Sequence, residues 1–175
     1  MDPVHLYRYL ALARERVFGW IDGMPDADYR REHDIGLRSL ARTLHHIKGA
    51  EWAYVERISG RGGPLGEIAP ENNADVATDD AMAFDQLRST WRAQAEATMR
   101  TLEAVSDWAT PVVRETTWEG RPYRYSASAD DFFAQLVMHE VHHRAQVLHM
   151  LRRLGVDVGD VDYNALMWPE ITPNE

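Results

Sequence analysis

Four stretches of the chain repeat apolar residues every three or four positions, which is the pattern of amphipathic helices. The first helix is predicted to begin at Asp2-Pro3, because a capping residue followed by proline suits a helix start. Its apolar stripe consists of Leu6, Leu10, Ala13, Val17, Trp20 and Met24. The second helix is predicted from about Leu37 to Ile58, where Ser59-Gly60 ends it. Its stripe consists of Leu37, Leu40, Leu44, Ile47, Val55 and Ile58.

The third and fourth helices follow a long polar interval. The third is predicted to open at the Thr-Asp-Asp triplet 78–80, and its stripe consists of Phe84, Leu87, Trp91, Thr98, Leu102 and Val105. The fourth begins at Ser128, where a Ser-Ala-Asp-Asp run offers a side-chain cap and negative charge at the helix start. It contains no glycine or proline before Leu154, and Gly155 ends it.

The segments between the helices complete the predicted architecture. Residues 60–78 form a long polar loop, and long loops in compact domains are often functional. The run VVRETTWEGRPYRYS, residues 112–126, is rich in β-branched and aromatic residues around Glu119-Gly120, which predicts a short hairpin. We therefore predict an all-α protein: one domain over 1–175, folded as a four-helix bundle with a short β-hairpin before the last helix.

Composition narrows the classes of function. The 175 residues carry a net charge of -9, which disfavours nucleic acid and anionic membrane surfaces as partners. No apolar run is long enough to span a membrane, and the N-terminus does not resemble a signal peptide. Cysteine is absent, which points to a cytoplasmic location and leaves histidine, aspartate and glutamate as the possible metal ligands.

The most informative motif is MHEVHH, residues 138–143, which reads H-E-x-x-H from His139 to His143. On a helical wheel both histidines fall about 20° from Phe132, in the middle of the apolar stripe. Two imidazoles aimed into a core are unfavourable unless their nitrogens find partners, and a divalent cation would satisfy both at this spacing. Hydrogen bonds to each other, to water or to carboxylates are the alternative.

The motif is also that of zinc metalloproteases, and the following residues argue against that class. In the longer protease motif a glycine breaks the helix so that a third histidine reaches the metal, but here Gln146 stands at that position. An unbroken helix places His149 about 15 Å along the axis from His139 and about 80° away in direction. His149 is therefore excluded from the same ion.

A third ligand should come from a facing helix, and the phrase LHHIKGAEW offers His45 and His46. The wheel modestly favours His46, on the small-residue side, over His45, which looks more peripheral. Glu140, the acid of the motif, is expected to form an exposed ion pair with Arg144. His5 and His33 are expected at the surface, and so are His142 and His149, for which hydrogen bonding to the metal ligands is the alternative.

The chain resembles the DinB-like family of metal-dependent four-helix proteins, which includes bacillithiol S-transferases and the metal-binding domain of mycothiol-dependent maleylpyruvate isomerases. The resemblance rests on SLARTLHHIKGAEWAYV, on MHEVHHRAQVLHMLRRLGV and on the hairpin-like segment before the latter. It spans nearly the whole chain. Ala145 stands where the family usually has glycine.

This resemblance implies a metal triad of His46, His139 and His143, a zinc or nickel ion, and a homodimer. Glu51 matches the family's glutamate after His46, and because it sits on the apolar stripe of its own helix we expect it to have a buried partner. The leading hypothesis for function is a metal-dependent enzyme that acts with a low-molecular-weight thiol, as an S-transferase or isomerase. The alternatives are a metal-dependent hydrolase with Glu140 as base, and a non-catalytic metal-binding stress-response protein.

Overall fold

The computed structural model describes residues 2–60, 81–118 and 120–168, and within them it confirms the predicted bundle with its hairpin. The elements in chain order are α1 (Pro3–Ile21), α2 (Asp26–Tyr29), α3 (Leu40–Ile58), α4 (Phe84–Ala104), β1 (Val112–Trp118), β2 (Arg121–Ala127), α5 (Ala129–Arg153) and α6 (Tyr163–Met167). The long helices α1, α3, α4 and α5 correspond to the four predicted from the sequence. The short helices α2 and α6 were not predicted.

The ends of α1 and α3 are set by local capping. The Asp2 carboxylate accepts a hydrogen bond from the Val4 N–H at 3.0 Å, as its position before proline predicted. The helix α3 begins three residues later than expected, because Arg38 has a φ of +74° that no helix can include. Ser39 takes over as the cap, and its hydroxyl accepts from the Arg42 N–H at 3.2 Å.

The helix α5 is the longest element and carries most of the candidate motif. Its cap is Ser128, as predicted, and the Ser128 and Asp131 side chains each accept a hydrogen bond from the other's backbone N–H. The helix then runs unbroken through Gln146 to Arg153, and Gly155 follows with a φ of +81°. The expected start of the third helix, 78–80, lies outside the described residues, and α4 begins at Phe84.

The hairpin forms where β-branched and aromatic residues predicted it. Strands β1 and β2 pair antiparallel, from Val112 opposite Ala127 to Trp118 opposite Arg121. The pairing ends at Trp118 and Arg121, and Gly120, which directly precedes β2, has a φ of +75° that favours glycine. The second strand leads directly into the cap of α5, so the hairpin lies at the N-terminal end of the helix that carries the histidine motif.

The four long helices form a ring in which α1 and α3 each pack against both α4 and α5, and the most extensive contact is between α3 and α5. The core consists of two apolar clusters, one towards each end of the bundle. On every long helix, buried polar residues lie between the members of the two clusters. This polar layer consists of Arg14 on α1, Glu51 on α3, Thr98 on α4, and Glu140 and Arg144 on α5.

The apolar stripes face this core as the sequence predicted. In α4 the buried residues are Leu87, Trp91, Thr98 and Leu102, all of which belong to the predicted stripe. In α3 a wider arc is enclosed, because α4 and α5 both pack against it. Among the described helices, none combines the length and the apolar character that crossing a bilayer would require.

Candidate metal centre

Three histidines from two helices meet at the contact between α3 and α5. His46 lies on α3, and His139 and His143 lie one turn apart on α5. One ring nitrogen of each histidine lies within 4.8 Å of a ring nitrogen of the other two. The ring centroids form a nearly equilateral triangle, with sides of 4.7, 4.6 and 4.5 Å. The structure therefore brings together the three residues that the sequence and the family resemblance indicated.

The separations within this triangle suit a shared ion. The Nε2 atoms of His46 and His139 are 2.9 Å apart. Two imidazole nitrogens that bind one ion at about 2.1 Å lie about 3 Å from each other. All three side chains are half-buried, so the cluster lies at the edge of the bundle rather than at its centre. Metal-binding geometry is thus available without any rearrangement of the helices.

The electrostatic environment of His139 and His143 favours their neutral forms. Burial, reinforced by the neighbouring His143 and His46, lowers the pKa of His139 to about 3. Burial also lowers the pKa of His143. A neutral imidazole has the lone pair that a metal ligand needs, whereas an imidazolium has none. His139 and His143 therefore present the protonation state that metal binding requires at neutral pH.

Gln146 is a member of the site that sequence reasoning missed. Its side-chain oxygen lies 3.0 Å from Nδ1 of His143, and its side-chain nitrogen lies 3.0 Å from Nε2 of His142. From the sequence, Gln146 was interpreted only as the residue that replaces the protease glycine. The contact could have been predicted from the sequence, because Gln146 follows His143 by three residues and residues three apart on a helix are neighbours. Tyr54 was also missed, and its ring meets His139 edge-on at 5.9 Å.

The other histidines do not join the cluster. His5, His142 and His149 are exposed, as expected, and His149 stays outside the triad because α5 is unbroken. The expectation that His45 is peripheral was wrong: it is 4% exposed. The wheel assumed one solvent-facing side for α3, but that helix is enclosed over a wider arc. His33 is half-buried rather than exposed.

Glu140, the acid of the H-E-x-x-H motif, was expected in an exposed ion pair with Arg144, and this is wrong. Both residues are buried, at 3% and 6% exposure. The ion pair with Arg144 does form, at 4.0 Å, but it is buried, and the Glu140 carboxylate also accepts a shorter hydrogen bond from Arg14 at 2.7 Å. The wheel placed Glu140 away from the histidines correctly, but that direction leads to the polar layer of the core. Burial raises the pKa of this carboxyl group.

Glu51 has the buried partners that its position on the apolar stripe of its helix predicted. It is 2% exposed and accepts hydrogen bonds from Arg14 at 2.6 Å and from Tyr7 at 2.9 Å. Three residues of α4 donate to it as well; they are Trp91, Gln94 and Thr98. Arg14 thus bridges Glu51 of α3 and Glu140 of α5, the two helices that also carry the histidines. The polar layer and the histidine cluster connect the same pair of helices at the same level.

The donor set fits a divalent transition metal. Imidazole nitrogens suit zinc, nickel and copper, whereas magnesium and calcium prefer oxygen. In the part of the chain that the structure describes, the cluster contains three histidines and no carboxylate. Three neutral ligands leave at least one coordination position for water or substrate, which is the arrangement of catalytic rather than closed structural sites.

Comparisons with known proteins agree with this architecture. The family model described as "DinB family" matches residues 1–175. Among solved structures, a DinB-like protein from Bacillus cereus ATCC 10987 matches with a TM-score of 0.58 and 20% sequence identity, over 89% of this chain and 94% of that chain. At that identity the likeness shows the fold alone. No curated protein gives a match. Because the family model covers the whole chain, the protein belongs to the DinB family.

Proposed function

We propose that the protein binds one divalent metal ion, zinc or nickel, through His46, His139 and His143. The observation that carries the proposal is the convergence of three imidazoles, from helices that pack directly together, on a space the size of one ion. Membership of the DinB family is compatible with this site. The half-buried position supports access for a small molecule from the surface.

We further propose that the protein is an enzyme that joins a low-molecular-weight thiol to an electrophile, or isomerises a thiol conjugate. A divalent cation bound at this site would supply Lewis acidity and lower the pKa of a thiol that takes an open coordination position. The chain contains no cysteine, so the sulfur has to come from the small molecule. In a transfer, the new carbon–sulfur bond forms as the leaving group departs, and the thiol proton passes to solvent.

The residues around the cluster have separate roles in this proposal. The three histidines hold the ion, and Gln146 contacts His143 on the side away from it. Tyr54 packs against His139 and is half-buried, so it can contact a molecule bound beside the ion. Most of the predicted loop at 60–78 lies outside the described residues.

The two alternatives are less well supported. A hydrolase with Glu140 as its base is disfavoured, because that carboxylate is enclosed in the core and bound to Arg14. A purely structural metal would need protein ligands at every position, and the described part of the cluster offers three donor residues. The homodimer and the cytoplasmic location remain predictions.

The lowered pKa of His139 gives a testable pH dependence. A site of three ordinary imidazoles would lose about 600-fold in metal affinity between pH 7 and pH 5.5, because protons compete at each one. Here His139 stays neutral over this interval. We therefore expect a loss below about 70-fold, measured by competition with a chromogenic chelator. A loss near 600-fold would contradict the environment described for His139.

The accompanying stability change has the same sign as that of a carboxylate whose pKa is lowered by folding, and the opposite sign to that of a histidine whose pKa is raised. The unfolded chain protonates its histidines below about pH 6.5, whereas folded His139 does not until about pH 3. The unfolded state therefore binds more protons, and the metal-free fold loses stability as the pH falls from 6.5 towards 3. The affinity comparison should be made where circular dichroism shows the metal-free protein still folded.

Thiol binding can be tested on the cobalt-loaded protein. Addition of small thiols such as cysteine or glutathione should produce a thiolate-to-cobalt charge-transfer absorption, because the sulfur would occupy an open position. The matching alcohol, serine in place of cysteine, is the control and should produce none. Absence of this absorption with every thiol, from a protein that binds cobalt stoichiometrically, would contradict the thiol proposal while leaving the metal site intact.

Catalysis is tested with two sets of assays. In the first, the rate of reaction between a chromogenic aryl chloride and each thiol is measured. In the second, the rates of hydrolysis of a set of esters and amides are measured without thiol. We expect the zinc- or nickel-loaded protein to accelerate the thiol reaction, and the His143→Ala variant to lose that acceleration. Hydrolysis of the esters or amides, abolished by the same variant, would instead support a hydrolase.

A further inference from the structure

Gln146 lies between two histidines of α5 and contacts both of them. Its side-chain oxygen is 3.0 Å from Nδ1 of His143, and its side-chain nitrogen is 3.0 Å from Nε2 of His142. An amide oxygen can only accept a hydrogen bond, so Nδ1 of His143 has to be the donor. The proton of a neutral His143 is then on Nδ1, and Nε2 keeps the lone pair that a metal ion needs.

The opposite orientation of the amide would have the opposite consequence. With oxygen and nitrogen exchanged, Gln146 would donate to Nδ1 of His143 and accept from Nε2 of His142. The proton of His143 would then be on Nε2, and that nitrogen could not bind a metal. The orientation of one amide therefore decides whether His143 is a ligand. Hydrogen bonds of this kind to the second ring nitrogen are how proteins fix the tautomer of metal-binding histidines.

The loop between α2 and α3 leaves space for this amide at Gly36. A Cβ atom added at Gly36 would lie 2.2 Å from the Gln146 side-chain oxygen and 2.9 Å from its side-chain nitrogen. An ordinary van der Waals contact is 3.4 Å or more. The amide would therefore have to move by more than 1 Å, which is enough to break a hydrogen bond of 3.0 Å. Only glycine lets the loop and the amide occupy these positions together.

We propose that Gln146 is the positioning residue of the metal centre: its amide fixes the tautomer and ring orientation of His143, and Gly36 holds the space that the amide requires. The inference rests on the metal site proposed above. It adds that the loop before α3, through Gly36, influences how well this site binds metal. Gln146 acts through His143 and does not itself contact the ion. Its effect should therefore appear in the tautomer of a metal-free protein as well as in metal affinity.

The tautomer is measured directly by long-range proton–nitrogen correlation spectra of the metal-free protein with labelled histidine. We expect His143 to carry its proton on Nδ1 in the wild type and to become a mixture of tautomers in Gln146→Leu. The variant Gln146→Glu should restore the Nδ1 proton, because a carboxylate accepts and cannot donate. A merely structural role for Gln146 would not change the tautomer in this selective way.

Cobalt affinity provides the second measurement, with a matched control for the glycine. We expect Gln146→Leu to weaken binding by about 10- to 100-fold, as removal of an outer hydrogen-bond partner does, and Gln146→Glu to recover it. Gly36→Ala should weaken binding to a similar extent. Gly23→Ala is the control, because Gly23 also has a positive φ, +76°, but a Cβ there meets nothing within 4 Å. It should leave both affinity and tautomer unchanged.

The double variant separates the amide from general strain in the loop. If Gly36 acts through Gln146, adding Gly36→Ala to Gln146→Leu should weaken cobalt binding no further. Additive losses, or a Gly36→Ala protein with wild-type tautomer and affinity, would overturn the role of Gly36. A Gln146→Leu protein with the wild-type tautomer and affinity would overturn the role of Gln146. If the wild type bound no cobalt, the proposed function would fail, and the tautomer of the metal-free protein would still decide this inference.

Discussion

Replacing Arg14 with methionine should lower the free energy of unfolding by about 3–5 kcal/mol, the range measured when one partner of a buried ion pair is removed. Arg14 is 4% exposed and bonds to Glu51 at 2.6 Å and to Glu140 at 2.7 Å. Its guanidinium is the cation that both carboxylates share. Without it, two negative charges would face each other in the core, and among the described residues only Arg144, 4.0 Å from Glu140, would remain at ion-pair distance from either of them. The measurement is chemical denaturation of the metal-free protein.

The chain offers a control of the same chemistry at the surface. Arg92 bonds to Glu15 at 2.6 Å, the same distance as the pair between Arg14 and Glu51, but its side chain is 55% exposed. Because exposed pairs contribute only about 0–1 kcal/mol, Arg92→Met should change stability by no more than that. Equal effects of the two substitutions would contradict the importance of the buried charge.

A compensating variant tests the reason for the loss. Adding Glu51→Gln and Glu140→Gln to Arg14→Met removes both unpaired charges while keeping similar shapes. We expect the triple variant to regain a large part of the lost stability, because neutral groups are less unfavourable in a core than uncompensated charges. A triple variant that is less stable than Arg14→Met alone would indicate that the carboxylates contribute through their hydrogen bonds to other residues.

The sequence was sufficient to predict the helices because each long helix has a local signal for both its face and its start. The stripe from Leu87 to Leu102 predicted which side of α4 is buried, and Ser128 predicted the start of α5. The ring order of the helices has no such signal, since it depends on contacts between residues far apart along the chain. The short helices α2 and α6 have four and five residues, too few to show a periodic pattern.

In the candidate site, too, the features that depend on local spacing could be predicted and those that depend on tertiary contacts could not. The pair His139 and His143 follows from helical spacing alone, whereas the choice of His46 over His45 depended on the family resemblance. The buried position of Glu140 could not be predicted, because it depends on Arg14, which precedes it by more than a hundred residues. A helical wheel shows in which direction each side chain of one helix points. It does not show which neighbouring helix packs against that side. The contacts of Gln146 were locally visible by their spacing, but the contribution of Gly36 depends on tertiary packing.

Replacing His139 or His143 with alanine should weaken metal binding by more than about 100-fold, since loss of a ligand exceeds the loss of an outer hydrogen-bond partner. Each variant would leave two imidazoles of the triad, which is too few to hold a divalent ion tightly. His46→Ala should have a similar effect from the facing helix. These substitutions remove half-buried rings at the edge of the bundle, so the metal-free fold should persist.

His149→Ala is the matched control for these variants. It lies on the same helix and completes the spacing of the longer protease motif, but it is exposed and outside the cluster. Its substitution should leave the metal dissociation constant within about twofold of the wild type. A large loss in His149→Ala would mean that α5 bends in the metal-bound protein so as to present a third histidine of its own.

Calorimetric titration of the metal-free wild type and of His46→Ala with zinc and with nickel tests the central claim most directly. The account predicts one ion per chain for the wild type and a loss of more than about 100-fold in affinity for His46→Ala, because the ion joins α3 to α5. A wild-type protein that binds neither metal, or a His46→Ala variant that binds as tightly as the wild type, would contradict it.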